Sequence, residues 1–114
     1  MAKLVTKPIR ILAVGIPQAV CQQVTESMKE HTTSVDVCTI DSWSEAHRHI
    51  REHELDHDVV LVEDAVLQED DWTSIREWLV SEEALPTILM ARNPTRENAI
   101  RAYSTGFNDY IEAD

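Results

Sequence analysis

The stretch DVVLVEDAVLQEDDW, residues 58–72, decides the fold. Four apolar residues, Val59 to Val62, run straight into two adjacent carboxylates, Glu63 and Asp64. An unbroken apolar run of this length, with an acid at each end, predicts a strand covered on both faces, as strands of parallel sheets are. Beyond the acidic loop, Trp72, Ile75 and Leu79 recur at helical spacing and predict a helix. The acids Glu69, Asp70 and Asp71 then fall in its first turn, where the helix dipole favours negative charge. Trp78 lies off that stripe and is expected at the surface, available for contacts.

The same alternation extends in both directions. Residues 9–16 form a second near-continuous apolar run, with Pro17 after it in position for a first helical turn. Val20, Val24 and Met28 recur every four residues, one face of a helix that the polar HTTS at 31–34 ends. VDVCTI at 35–40 is a short strand. Ser42 and Glu45 have the spacing of a capping box, opening a helix with Trp43, Ala46 and Ile50 inward and an end near Leu55. PTILM at 86–90 is a fourth strand. Asn93 with Pro94 predicts a cap-plus-proline start for a helix carrying Ala99, Ala102 and Tyr103, and Gly106 is placed to stop it. Residues 108–111 read as a last strand. Strands alternating with helices define an α/β class, with a parallel sheet flanked by helices and right-handed crossovers.

The 114 residues are expected to form one domain over 1–114, large enough to bury roughly two thirds of the surface its unfolded chain exposes. Twenty-one acidic residues against ten basic ones leave a net charge of -11, which repels phosphate backbones and anionic lipid. Direct binding to nucleic acid is therefore not expected. The longest wholly apolar run, ILAVGI at 11–16, falls far short of the roughly 20 residues that cross a bilayer. With no leader visible, Cys21 and Cys38 read as two reduced thiols and the location as cytoplasmic.

The order of elements, the DVVLVE strand and the pair PTILMARN and GFNDYIEAD together resemble the receiver domain of two-component response regulators. The resemblance implies a flavodoxin-like fold of five parallel strands in the order 2-1-3-4-5. It covers nearly the whole chain and makes Glu63 the counterpart of the phospho-accepting aspartate. The fifteen-residue step from Ala91 to Gly106 has the family's spacing. A receiver closes with a fifth helix after strand five. That helix is absent from this chain, so an apolar face should be bared: either the chain is the N-terminal part of a longer signalling protein, or the face is covered by a partner or a second copy.

In that register the family's chemistry is largely lost. The paired acids that hold Mg²⁺ fall on Gly15 and Ile16, the hydroxyl at the end of strand four on Ala91, and the lysine of strand five on Ala113. The switch aromatic survives as Tyr110. Aspartyl phosphorylation needs a nucleophile, a metal to neutralise the phosphoryl oxygens and a cation for the developing charge. Glu63 and Asp64 alone do not make a metal site, because adjacent strand residues point to opposite sides. Nor does Glu63 serve as a permanent phosphate mimic, since the positions that would sense it are alanines. Arg92, where receivers carry a small residue, is expected to reach Glu63 or Asp64 and replace metal and lysine with a built-in cation. The alternative leaves Arg92 solvated and Glu63 a partly exposed strand-end acid.

His49 and His53 stand four apart on the second helix, a metal-ligand spacing with no third ligand evident, so a solvated polar face is expected and no metal. Tyr110, without a hydroxyl partner at Ala91, is expected in one fixed rotamer. Three functions follow. The first is a non-enzymatic pseudo-receiver, without cofactor, that binds a protein: an effector domain, a kinase or a second copy in a homodimer. The second is an active receiver that accepts phosphate on Asp64 or Glu63. The third, a small-ligand site at the strand ends, would need a phosphate-cradling loop, and VGIPQ with its single glycine is a poor one.

Overall fold

A computed structural model describes residues 8–30, 34–52, 57–92 and 94–112. Five strands, β1 (Ile9–Val14), β2 (Val35–Ile40), β3 (Val59–Glu63), β4 (Thr87–Ala91) and β5 (Asp109–Glu112), alternate with four helices. The helices are α1 (Gln18–Lys29), α2 (Trp43–Glu52), α3 (Glu69–Leu79) and α4 (Arg96–Thr105), and a 3₁₀ turn at Asp64–Val66 follows β3. All strand pairs are parallel, and the sheet order is β2-β1-β3-β4-β5.

The apolar runs of β1, β3 and β4 are near-continuous because those strands lie inside the sheet with a core on each side. Leu12, Val14, Val60, Val62 and Leu89 face a large core closed by Trp43, Ile50 and Ile75. Ala13 and Met90 face a smaller one with Ile16 and Cys21. Helices α2, α3 and α4 supply buried residues to the first, and α1 to the second. On that second face Ile111 of β5 is 37% exposed. Among the described residues, no helix is long and apolar enough to cross a membrane.

Several expectations change. Trp78 is buried, not a surface contact, with its ring 5.5 Å from that of Trp43. The α3 stripe is broader than a four-residue spacing suggests: position 78 is three on from the fully buried Ile75 and shares its face. Pro17 sits one residue before α1, and its carbonyl accepts from the amides of Val20 and Cys21. The α4 cap is Thr95, whose Oγ1 accepts from the Asn98 amide at 3.0 Å; Pro94 precedes that cap, and Asn93 lies outside the described residues. A strand end shifts at β5, where Asn108 stays outside the strand and exchanges hydrogen bonds with Thr87 instead.

Ser42 Oγ accepts from the Glu45 amide at 3.3 Å. A full capping box forms at α3 between Gln68 and Asp71. The α2 face is not simply solvated: His47 stacks on Trp43, and burial, then Arg51, push its pKa down, opposed by Glu77. His49 is half-buried beside His57, while His53 and Leu55 lie outside the described residues. Both cysteines are free thiols, and burial pushes that of Cys21 up.

Candidate functional site: an acid cleft closed by arginine

β3 and β4 run side by side with Glu63 opposite Met90, so the residue two beyond Met90 rises over the end of β3. That residue is Arg92. Its Nε lies 2.7 Å from Glu63 Oε1, pairing a side chain that is 54% exposed with one that is 4% exposed. The neighbouring acid faces elsewhere: Asp64 Oδ1 accepts from the Arg92 backbone amide at 3.2 Å. The two adjacent carboxylates thus hold one residue by its side chain and its backbone. Glu63 is buried at 3% exposure and Asp64 is half-exposed, so the solvated-arginine alternative does not describe this geometry.

Gly15 follows β1 with φ +72°, and its amide donates to the Ile40 carbonyl. A Cβ built on it would overlap the Val66 isopropyl group, 2.9 Å from the Val66 Cβ. Val66, presented by the 3₁₀ turn, therefore fills the space into which an acid at position 15 would extend. Ile16 is buried in the α1-side core, and Ala91 is fully buried. Ala113 lies outside the described residues.

Mg²⁺ takes near-octahedral oxygen ligands, usually including one or two protein carboxylates. Gly15 and Ile16 supply none; of the carboxylates that line the cleft, buried Glu63 already holds a cation and Asp41 is an exposed residue at its rim. Among the described residues, no group of three ligating side chains lines this cleft. The residues present do not fit the Mg²⁺ that the receiver resemblance implies.

Tyr110 packs against the large core with its hydroxyl shielded from solvent. No hydrogen bond of good geometry closes on that hydroxyl among the described residues. Burial pushes its pKa up, the Thr95 backbone opposes this, and negative charge at Asp64 and Glu112 adds to it.

One contact had no sequence signal. Arg101 of α4 makes a forked pair with Glu69 of α3, at 3.1 and 2.8 Å, and its guanidinium lies 4.3 Å from the Trp72 ring centroid. The residues are 32 apart, so only the packing of α3 beside α4 reveals them. Hydrogen bonding to Arg101 holds the Glu69 carboxyl below its usual range, and the guanidinium charge adds to it. A lowered folded pKa means stability present above the unfolded value and lost as pH falls through the folded one. Urea midpoints of the native chain and Arg101→Ala should therefore converge partly as pH drops through the carboxylate range; a gap unchanged by pH would assign the pair no role.

No family model matches the sequence, and no curated protein does. Solved structures match in three dimensions. The red-light-signalling response regulator RPA3017 of R. palustris has a TM-score of 0.71 at 18% identity, over 90% of this chain and 79% of that one. The Mn(2+)-bound form of the response regulator Rcp1 gives 0.75 at 18% identity, over 94% and 82%. An orphan response regulator of H. pylori, HP1043, gives 0.67 at 17% identity, over 91% and 81%. The chain therefore has the receiver-domain fold of response regulators, a flavodoxin-like five-stranded α/β sheet.

Proposed function

We propose that this chain is a receiver-type signalling module whose phosphorylation pocket is closed by its own ion pair. It acts by binding a protein partner, an effector domain, a kinase or a second copy, and carries out no Mg²⁺-dependent aspartyl phosphorylation. The contact between Arg92 and Glu63 carries this reading. The guanidinium engages Oε1 of the carboxylate that an incoming phosphoryl group would have to meet, and a charge-assisted contact to a buried carboxylate is a strong one. The missing acids at 15 and 16 and the missing hydroxyl at Ala91 point the same way, since neither metal nor sensor would assist a transfer. The fold supplies the class of module and leaves the chemistry to the site.

Acetyl phosphate or beryllofluoride with Mg²⁺ tests the reading directly. Intact mass and amide NMR shifts should stay unchanged. A Mg²⁺-dependent gain of one phosphoryl group, mapped to Asp64 or Glu63, would make the chain an active receiver and sink the proposal. Asp64 is the acid to watch, because it is half-exposed and only its Oδ1 is engaged by the Arg92 amide.

A further inference from the structure

A second cluster lies away from the acid cleft. Cys38 on the edge strand β2, His49 on α2 and His57 just before β3 each offer one ligand atom, and these atoms all lie within 4.8 Å of one another. The two imidazole rings stand 5.3 Å apart and tilted by 52°, with His57 buried at 7% exposure. His57 sits at the amino-terminal end of β3, whereas Glu63 closes its carboxyl end, so the cluster and the acid cleft are separate sites.

We propose that Cys38, His49 and His57 form a three-ligand site for a transition-metal cation of the Zn²⁺ class. The donor set decides the class of ion. One thiolate and two imidazoles suit Zn²⁺ and its neighbours, while Mg²⁺ and Ca²⁺ require oxygen. Tetrahedral Zn²⁺ with ordinary Zn–S and Zn–N bonds sets ligand atoms about 3.3–3.6 Å apart. Closing from the observed spacing requires shifts on the order of 1 Å, within the reach of side-chain torsions. Coordination releases the Cys38 thiol proton to solvent as the sulfur–metal bond forms. Three protein ligands leave a fourth position for water or an external ligand. The ligands come from three elements, so the ion would clamp α2 to the sheet edge at β2 and to the start of β3.

The sequence pointed at His49 and His53 and found no third ligand. Among the described residues, the third dimension sets Cys38 and His57, which are 19 residues apart and share no motif, beside His49. This inference does not depend on the acid cleft, and its test does not read phosphorylation.

Untagged protein titrated with Co²⁺, a spectroscopic stand-in for Zn²⁺, should bind one ion per chain. Binding should give a thiolate-to-metal charge-transfer band and the intense visible bands of a tetrahedral site, both removed by added Zn²⁺. Cys38→Ser should abolish the charge-transfer band, and Cys21→Ser should keep it. Loss of even an outer-shell partner weakens metal sites about 10–100-fold, so His49→Ala should weaken Co²⁺ binding at least about tenfold. His49 is a half-exposed helix residue, which keeps this arm readable if Cys38→Ser folds poorly. No charge-transfer band at stoichiometric Co²⁺, a band that survives Cys38→Ser, or unchanged affinity in His49→Ala would each overturn the proposal.

Discussion

Gly15→Ala should lower the free energy of unfolding by about 2–5 kcal/mol. Two causes add. The backbone at Gly15 has φ +72°, a left-handed conformation that costs a residue with a Cβ about 1–2 kcal/mol. The new methyl also meets Val66 with only 2.6 Å to its Cγ2, and overpacking of this kind costs about 1–3 kcal/mol. Val66 has one rigid rotatable bond and cannot fold its methyls away as a long side chain would. The two causes separate in a double-mutant cycle. Val66→Ala in the Gly15→Ala background should relieve the overpacking and leave the backbone cost, so the double variant should be more stable than the sum of the singles predicts. Urea unfolding measures both, and a neutral Gly15→Ala would show that Val66 does not fill this space. An acid introduced at position 15 meets the same obstacle, so restoring a metal-binding pair requires a change at Val66 as well.

Arg92→Ala should cost about 1–3 kcal/mol, below the about 3–5 kcal/mol of a fully buried broken pair because the Arg92 side chain is half in water. The loss comes from leaving the Glu63 carboxylate out of solvent without its cation. Glu63→Gln removes the charge and keeps an acceptor oxygen, so it should cost less. Combining it with Arg92→Ala should recover part of the loss, because the two residues touch and their effects do not add. A coupling energy near zero in that cycle, read from urea midpoints, would mean that the contact holds nothing. The cycle bears on function too, because Arg92→Ala frees the buried carboxylate of the cleft, Glu63.

Much of this molecule was legible in its sequence because the pattern is strong where the sheet is central. β1, β3 and β4 carry the apolar runs ILAV, VVLV and ILMA, and residues with cores on both faces leave few polar positions to blur the signal. The helices announced themselves through Trp43, Ala46 and Ile50 and through Trp72, Ile75 and Leu79. Boundaries were less legible. The α4 cap moved from Asn93 to Thr95, since either residue type caps a helix and only the local path of the chain selects one. Trp78 was misplaced because an indole three residues from a buried isoleucine looks marginal in one dimension and is central once α2 lies alongside.

By itself, the sequence determined the class of fold, the strand order through its family likeness, and which positions lack a carboxylate or a hydroxyl, namely Gly15, Ile16 and Ala91. Periodicity suffices for the class of fold because it is a property of neighbours along the chain, while the strand order and the choice of those positions rest on the family likeness. Tertiary structure alone decided that Arg92 meets Glu63 by its side chain and Asp64 by its backbone, that Val66 fills the space above Gly15, and that Cys38, His49 and His57 converge. Each of these joins residues from different elements. Their distances depend on strand register and helix placement, which burial of the whole core sets at once and no local pattern encodes.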